Sequence, residues 1–515
     1  MRRTRIAIFS LLIVAAAPAC KKGSKQDPGP DGPPATGTRT QLSLDSLYLY
    51  AKETYLWYDA LPDYNTFNPR SFEGSDEYAS LQSELFKISQ YKINTATGKP
   101  YEYTGGSSPK YSFVEKGNAA RGIQGTVDLE GKGNDLGIGT FLVSQTAGGP
   151  AKWLYVRLVE RGSPADNAGI TRGCEITEIN DAPVVLNQSA VTAALNSSTL
   201  KLKFRKPGAT DFTTVTISKA AYTNDPVYTW KVFTSGSKVT GYINLGRFSR
   251  LSVAKTSLQN AFNEFANKGV NNLVIDLRYN GGGYVETFQY LANLIAPASL
   301  TGQVMYKEIF NKLLQEGNAP ILKAIPLLDE NLQQKKDGNG NPLTYANVDF
   351  TPTRNTFKFK KEGALGAITN VVFIVTGSSA SASELTINSL KPHMNVKIMG
   401  DTTYGKPVGF FGIGIDKYTV YMSQFSSVNA QDKGDYFAGF PPDYLTFDDF
   451  TRDFGDPEET SLSKALSYIN TGVVTGRDQL LLSNARTAAP VEALQMQAAG
   501  AEGFTGMVED RRVLK

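Results

Sequence analysis

The spacing of hydrophobic residues changes twice along the chain and divides it into three parts. Between residues 41 and 116, apolar and aromatic side chains recur at about helical intervals, as in LSLDSLYLYAKETYLWY. Short strand-like segments follow between residues 117 and 222. From residue 223 to residue 470, nearly continuous apolar runs alternate with amphipathic stretches, as expected for parallel strands covered by helices on both faces. The pattern predicts a multi-domain α/β protein with a helical N-terminal domain.

The third part contains a strand-helix-strand unit. KVTGYINLGRF predicts a strand, and the helix after it carries Leu258, Ala261, Phe262 and Phe265 on one face before Gly269 ends it. NNLVIDLRYNGGG, NVVFIVTG and NVKIMG predict three more buried strands. Because crossovers of this kind are right-handed and join parallel strands, we expect a mostly parallel sheet.

The ends of the chain and one internal segment differ in composition from the three parts. Residues 1–19 join an arginine-rich start to an apolar stretch too short to span a bilayer, which predicts a signal peptide. Residues 20–40 are rich in Pro and Gly and predict a flexible tether. The polar segment 301–366 predicts an insertion or lid, and the Ala- and Gln-rich residues 471–515 receive no assignment.

Composition limits the classes of function. The 515-residue chain has a net charge of +4, which is too mild to predict nucleic-acid binding. Cys20 and Cys174 are the only cysteines and His393 is the only histidine, so a multi-histidine zinc site is excluded. A Ser-His-Asp triad would have to use His393, which the pattern places in a surface turn between a helix and a strand.

Three loops with chemically useful residues follow the predicted strands: YNGGGYV, GSSASASE and DTTYGKPVG. Loops at the carboxyl ends of parallel strands share one edge of the sheet. One loop offers backbone N–H groups, one a hydroxyl and one an amine. These are the parts of a serine hydrolase that uses a lysine as its base.

The amine belongs to Lys406, which aromatic and apolar neighbours such as Tyr404 and Phe411 could bury. Burial disfavours the charged form of a lysine and so makes it a better base. The residue pattern alone does not choose among four candidate hydroxyls: Ser378, Ser379, Ser381 and Ser383.

The second part resembles a PDZ domain in the stretches KWLYVRLVERGSPADNAGI and GCEITEINDAPV, although Cys174 stands where that family usually has Asp. LGIG resembles the carboxylate-binding loop of the family. The amides of such a loop hold the terminal carboxylate of a peptide, which adds to the sheet edge as a strand. The resemblance implies that Leu136, Gly137, Ile138 and Gly139 bind a peptide terminus.

The third part resembles the carboxy-terminal processing (tail-specific) serine proteases in LVIDLRYNGGG, GSSASASE and GDTTYGKPVG, with the PDZ-like part preceding it as in that family. The resemblance implies a ClpP/crotonase-like peptidase core without metal or cofactor. It implies that Ser381 is the nucleophile and that Lys406, 25 residues later, is the base. Ala382 and Gly282, or Gly283, would supply the oxyanion amides.

One departure from the family keeps a second hypothesis open. Many members carry a glutamine four residues after the lysine, where this chain has Phe410. The main hypothesis is an endopeptidase acting on polypeptides with a free C-terminus. The alternative is a catalytically weak or inactive PDZ-containing lipoprotein that binds peptides or other ligands.

The residues before Cys20 resemble the lipobox of bacterial lipoproteins, with Ala17 in place of the usual leucine. The resemblance implies that Cys20 carries lipid and that the protein is exported to the bacterial cell envelope, at the outer membrane. Contact with the membrane would be through the lipid anchor only. The sequence makes no prediction about oligomeric state.

Overall fold

The computed structural model describes residues 32–117, 131–144, 148–329 and 333–475, and short stretches of the tail at 479–480, 489–490, 495–499, 506–508 and 514–515. The predicted signal peptide and Cys20 lie outside the described residues. None of the helices in these ranges has both the length and the hydropathy required to cross a bilayer. The helices are α1 (Arg39–Thr54), α2 (Tyr64–Phe67), α3 (Glu77–Ser89), α4 (Pro164–Asn167), α5 (Gln188–Leu195), α6 (Leu251–Asn267), α7 (Val285–Ile295), α8 (Lys312–Gln315), α9 (Ala382–Leu390) and α10 (Thr460–Thr471).

The strands fall into four groups along the chain. The N-terminal group is β1 (Ile93–Asn94), β2 (Lys99–Pro100) and β3 (Phe113–Lys116). The second group is β4 (Lys132–Asp135), β5 (Ile138–Ser144), β6 (Ala151–Val159), β7 (Glu175–Ile179), β8 (Ala182–Pro183), β9 (Thr199–Arg205), β10 (Phe212–Ser218) and β11 (Ala220–Thr223).

The third and fourth groups follow. The third is β12 (Val227–Ser235), β13 (Lys238–Leu245), β14 (Asn272–Asp276), β15 (Gly282–Tyr284), β16 (Val304–Phe310), β17 (Thr356–Lys358), β18 (Asn370–Val375), β19 (Val396–Gly400), β20 (Val408–Gly409), β21 (Ile413–Ile415), β22 (Tyr418–Tyr421), β23 (Phe425–Asn429) and β24 (Tyr444–Leu445). The tail contributes β25 (Gln479–Leu480), β26 (Ala489–Pro490), β27 (Gln495–Ala499) and β28 (Gly506–Val508).

The central sheet has the order β12-β13-β14-β18-β19-β24. Only the pairing of β12 with β13 is antiparallel, and the other four pairings are parallel. Alternate residues of each strand enter two different apolar layers. Ile275 and Phe373 pack in the layer that includes α6, α7 and α9, whereas Val274 and Val372 pack against α10. This burial on both faces explains why the strands read as continuous apolar runs.

The second part of the chain forms a sheet of order β10-β9-β7-β6-β5-β27, with the short β8 beside β7. Ser163 caps α4 by accepting a hydrogen bond from the Asp166 N–H, and Pro164 occupies the first turn of that helix. Cys174 is buried in the apolar cluster of this sheet. The tail strand β27 completes the sheet at its β5 edge.

Residues 41–116 pack directly on the third part of the chain. Leu44, Leu47 and Ala51 of α1 belong to the same apolar cluster as the strands of the central sheet. Strand β3 pairs with β22 across the Val114–Val420 register. The helical N-terminal segment therefore shares its core with the α/β part, a contact that its own sequence pattern did not indicate.

Candidate active site

The three predicted loops meet at one edge of the central sheet. The loops after β14, β18 and β19 leave the carboxyl ends of parallel neighbours. The Ala380 N–H donates to the Asn280 carbonyl at 3.0 Å, which joins the serine run to the glycine turn. The Tyr404 N–H donates to the Ser379 carbonyl at 3.0 Å, which joins the serine run to the lysine loop. The backbone itself thus brings the hydroxyl, the amine and the glycines together.

The candidate serines differ in the hydrogen bonds of their hydroxyl groups. Ser379 Oγ donates to the Leu277 carbonyl at 2.7 Å, and Ser383 Oγ donates to the Asn280 carbonyl at 2.9 Å. Ser378 is exposed. Ser381 is fully buried, and among the described residues its Oγ has no hydrogen-bond partner. A buried hydroxyl without a partner costs stability, so it marks a position shaped for something other than folding.

The backbone at Ser381 is also strained. Its φ of 60° and ψ of −108° lie outside the regions that non-glycine residues prefer. Such a conformation costs about 1–3 kcal/mol and persists only where the surrounding structure holds it. Ser381 stands at the junction between the β18 loop and α9, whose first residue is the buried Ala382. The positive end of the helix dipole is therefore next to the Ser381 hydroxyl.

One buried carboxylate connects the serine run to the lysine loop. Glu384 Oε2 accepts from the Ser381 N–H at 2.9 Å and from the Lys406 N–H at 2.8 Å. Glu384 Oε1 accepts from the Gly405 N–H at 2.7 Å and from Thr403 Oγ1 at 2.5 Å. Because a single side chain holds both backbones, Ser381 and Lys406 lie side by side. Glu384 therefore fixes the backbone of Ser381 relative to that of Lys406.

The Lys406 amine is buried in aromatic surroundings. Nζ lies 4.4 Å from the centre of the Phe410 ring and donates to the Tyr111 carbonyl at 3.4 Å. Burial lowers the pKa of Lys406 from 10.5 to about 7, against the opposing charges of Glu102 and Glu384 and with help from Lys110. A large fraction of this lysine is therefore neutral near pH 7, and only the neutral amine can accept a proton.

The pH dependence of catalysis should follow this amine. If Lys406 is the base, activity requires its deprotonated form, so kcat/KM should rise about tenfold per pH unit below the pKa. It should level off above about pH 7, where burial has placed the pKa. The measurement is kcat/KM for an unfolded polypeptide between pH 5 and pH 10. A midpoint near 10.5, or activity confined to acid pH, would contradict a buried lysine base.

The glycine turn faces the serine. A side-chain carbon on Gly282 would lie 2.9 Å from Ser381 Cβ, so only glycine leaves this space open. The Gly282 N–H donates to Asn280 Oδ1 at 2.9 Å, and its carbonyl accepts from the Phe248 N–H. The predicted oxyanion amide of Gly282 is thus already engaged. The next amide, that of Gly283, is the better candidate, and Gly283 has a φ of 135° that also favours glycine.

The predicted carboxylate-binding loop lies between β4 and β5. Leu136 and Ile138 are buried, and Gly139 is half-buried in β5. Gly137 has a φ of 71°, and a side chain there would collide with Ser163. Its N–H donates to Asp135 Oδ1 at 2.7 Å. One of the predicted amides therefore already binds a carboxylate of the protein itself.

Two residues at the site were not found from the sequence. The Tyr111 carbonyl contacts the Lys406 amine, and the Tyr111 hydroxyl donates to the Gly405 carbonyl at 2.6 Å. Glu102 is buried and accepts from the N–H groups of Tyr111 and Ser112. No local pattern marks these residues, because Tyr111 and Lys406 are 295 positions apart in the chain. His393 lies past the far end of α9, about 13 Å of helix away from Ser381, and binds the Val304 carbonyl.

The part of the chain that carries Ser381 and Lys406 is similar in sequence to a known protein family. Residues 239–446 match the model of peptidase family S41. The matched segment contains the glycine turn, the serine run and the lysine loop. It begins after the PDZ-like part, and Tyr111 and Glu102 lie before it.

Curated relatives of the chain are carboxy-terminal processing proteases. The protease CtpB of Bacillus subtilis is 25% identical over 248 residues, which is 47% of this chain and 42% of that protein. Carboxyl-terminal-processing peptidase 3 of the Arabidopsis thaliana chloroplast is 26% identical over 288 residues, 53% of this chain and 46% of that protein. The chain thus spans about half the length of the curated relatives it matches.

A solved structure shares the fold over most of the chain. A crystal structure described as an S41 protease from Bacteroides fragilis has a TM-score of 0.55 and 20% identity to this protein. The similarity covers 83% of this chain and 97% of that chain. The mixed α/β fold expected from the sequence is confirmed at this level.

Proposed function

We propose that this protein is a serine endopeptidase that hydrolyses unfolded or tail-presented polypeptides with a Ser381–Lys406 pair. The observation that carries the proposal is the buried Ser381 Oγ, which has no hydrogen-bond partner among the described residues, beside a loop that holds a fully buried lysine. The match of residues 239–446 to peptidase family S41 supports the same reaction class.

In the proposed reaction the neutral Lys406 amine accepts the Ser381 proton while Ser381 Oγ attacks the peptide carbonyl carbon. Negative charge then develops on the carbonyl oxygen. The amides of Ala382 and Gly283 are the proposed donors to this oxygen, supported by the helix dipole of α9 and by the glycine turn. Lys406 returns the proton to the leaving amine, and water releases the acyl group by the same route.

Substrate capture is proposed for the PDZ-like part of the chain. The edge of β5 can pair with an added strand, as it does with the tail strand β27. The apolar cluster around Leu136 and Ile138 offers a pocket for a side chain. We further propose lipidation at Cys20 and attachment to the cell envelope, on the basis of the N-terminal sequence pattern alone.

A serine-directed probe tests the proposed nucleophile. A fluorophosphonate reacts covalently with an activated serine hydroxyl, so we expect it to label the purified protein once, at Ser381, as read by peptide mass spectrometry. Labelling should disappear in Ser381→Ala together with cleavage of a reduced, alkylated protein substrate. The matched control is Ser378→Ala, in the same loop but exposed. Substrate cleavage that survives Ser381→Ala would reject the assignment.

A further inference from the structure

The tail strand β27 occupies the groove between β5 and α5. It pairs antiparallel with β5, with Ala499 opposite Thr140. Thr140 Oγ1 donates to the Ala499 carbonyl at 3.1 Å, and Gln188 Nε2, at the start of α5, donates to the Ala498 carbonyl at 3.3 Å. The direction of β27 takes the chain towards the loop that holds Gly137. This is how a peptide ligand adds to a sheet edge.

Ala499 fills the pocket at the end of this groove. It is buried, and the residues of its apolar cluster include Leu136, Ile138, Leu142, Val191 and Leu195. The chain continues beyond Ala499, so the bound segment brings no terminal carboxylate. The absence of a terminal carboxylate agrees with the loop, because the Gly137 N–H already donates its hydrogen bond to Asp135. The groove thus accepts an internal segment of this same chain.

A second tail strand, β28, lies against the glycine turn of the candidate active site. It pairs in parallel with β15, with Gly506 opposite Gly282, and the Gly506 N–H donates to the Gly281 carbonyl at 2.9 Å. β28 also lies beside β20, which begins two residues after Lys406. A side-chain carbon on Gly282 would touch the Gly506 carbonyl oxygen on one side and Ser381 Cβ on the other. The Gly506 carbonyl is therefore next to the candidate nucleophile.

We propose that the C-terminal tail of this chain is a substrate of its own active site, held by the β5–α5 groove and cut between Gly506 and Met507. This inference rests on the proposed peptidase function. The observation behind it is that two strands of the same tail, β27 and β28, lie in the β5–α5 groove and beside Ser381. Tethering raises the effective concentration of the tail at the cleft to about the millimolar range, which favours the tail over free peptides.

The proposed step balances as an ordinary hydrolysis. The Ser381 proton passes to Lys406, Ser381 Oγ bonds to the Gly506 carbonyl carbon, and the bond from that carbon to the Met507 nitrogen breaks. The Met507 nitrogen takes the proton from Lys406 and leaves as an amine with residues 507–515. Water then cleaves the ester, leaving a carboxylate on Gly506 and returning a proton to Ser381 Oγ. No oxidation or reduction occurs.

Intact-mass spectrometry of the purified chain tests the proposal. The wild-type chain should lose the mass of residues 507–515 over time, and Ser381→Ala should keep it. Because the tail belongs to the same molecule, the first-order rate should not change over a tenfold dilution. In parallel, each sample is given a reduced, alkylated protein to measure peptidase activity on a separate substrate.

Variants of the tail test whether the β5–α5 groove holds it for cleavage. Ala499→Asp places a charge in the apolar pocket, so self-cleavage should slow by at least about tenfold, without any loss of cleavage of the separate substrate. Val473→Asp, at an exposed position before the tail strands, is the matched control and should not slow self-cleavage.

The outcomes separate the two proposals. A wild-type tail that stays intact while the separate substrate is cut overturns self-cleavage and leaves the peptidase function standing; the tail is then an uncut ligand. Cleavage of the tail at another bond, or equally fast cleavage in Ser381→Ala, also overturns the inference. Failure to cut either substrate overturns the peptidase function itself.

Discussion

Replacing Lys406 by methionine is expected to lower kcat/KM by about three orders of magnitude or more, because Ser381 then has no base. Ser381→Ala should cause a loss of similar size. Since the two side chains act on one proton, the double variant should be no worse than either single variant. Lys406→Arg should be as inactive as Lys406→Met, because a guanidinium stays protonated at the pH of the assay. The measurement is kcat/KM on an unfolded polypeptide for all four variants.

Melting temperatures distinguish this loss of activity from misfolding. Burial favours the neutral form of Lys406, so the protonated amine is costly in the folded state below about pH 7, and this cost fades as pH rises towards 10.5. Lys406→Met removes it and should melt no lower than wild type near neutral pH. The matched control is Lys361→Met, a half-buried lysine whose Nζ donates to the Leu294 carbonyl. Loss of activity in Lys361→Met, or additive losses in the double variant, would contradict the pair.

Replacing Arg278 by methionine should cost about 3–5 kcal/mol of stability. The buried Arg278 guanidinium binds Asp276 at 2.6 Å, Glu459 at 2.8 Å and Asp448 at 3.0 Å. Asp448 also binds Arg172 from the PDZ-like part, so the cluster joins that part to the core. Without the guanidinium, Asp276 and Glu459 are buried acids without their cation. A drop in melting temperature on the order of 6–10 °C is expected by calorimetry.

An exposed pair provides the comparison for this prediction. Arg354 lies 3.8 Å from Asp349, and its side chain is 56% exposed. Screening by water makes such pairs worth about 0–1 kcal/mol, so Arg354→Met should hardly change the melting temperature. Equal shifts for Arg278→Met and Arg354→Met would show that the buried cluster does not stabilise the fold.

Local patterns predicted the elements that position the site. The helical spacing of Leu258, Ala261, Phe262 and Phe265 predicted one buried face, and all four are buried on α6. The apolar run before Asp276 predicted a strand covered on both faces, and β14 is buried throughout. Both predictions work because side-chain periodicity is a property of a few consecutive residues.

The tail could not be assigned in the same way. β27 has the sequence QMQAA, which carries neither a helical nor a clear alternating pattern. Its place is decided by backbone hydrogen bonding to the open edge of β5 and by the fit of Ala499 into a pocket. Edge pairing depends on the partner strand more than on the side chains of the added strand.

Local sequence patterns were sufficient to predict the α/β class, the order of the parts and the three loops that carry the hydroxyl, the amine and the glycine turn, because each of these depends on neighbouring residues. The family resemblance singled out Ser381, but only the tertiary structure showed how its hydroxyl differs from those of Ser379 and Ser383, whose partners are the Leu277 and Asn280 carbonyls about a hundred residues away. It also decided the low pKa of Lys406. Local aromatic neighbours predicted that Lys406 is buried, but the full burial of its amine also depends on contacts with distant segments such as the Tyr111 carbonyl.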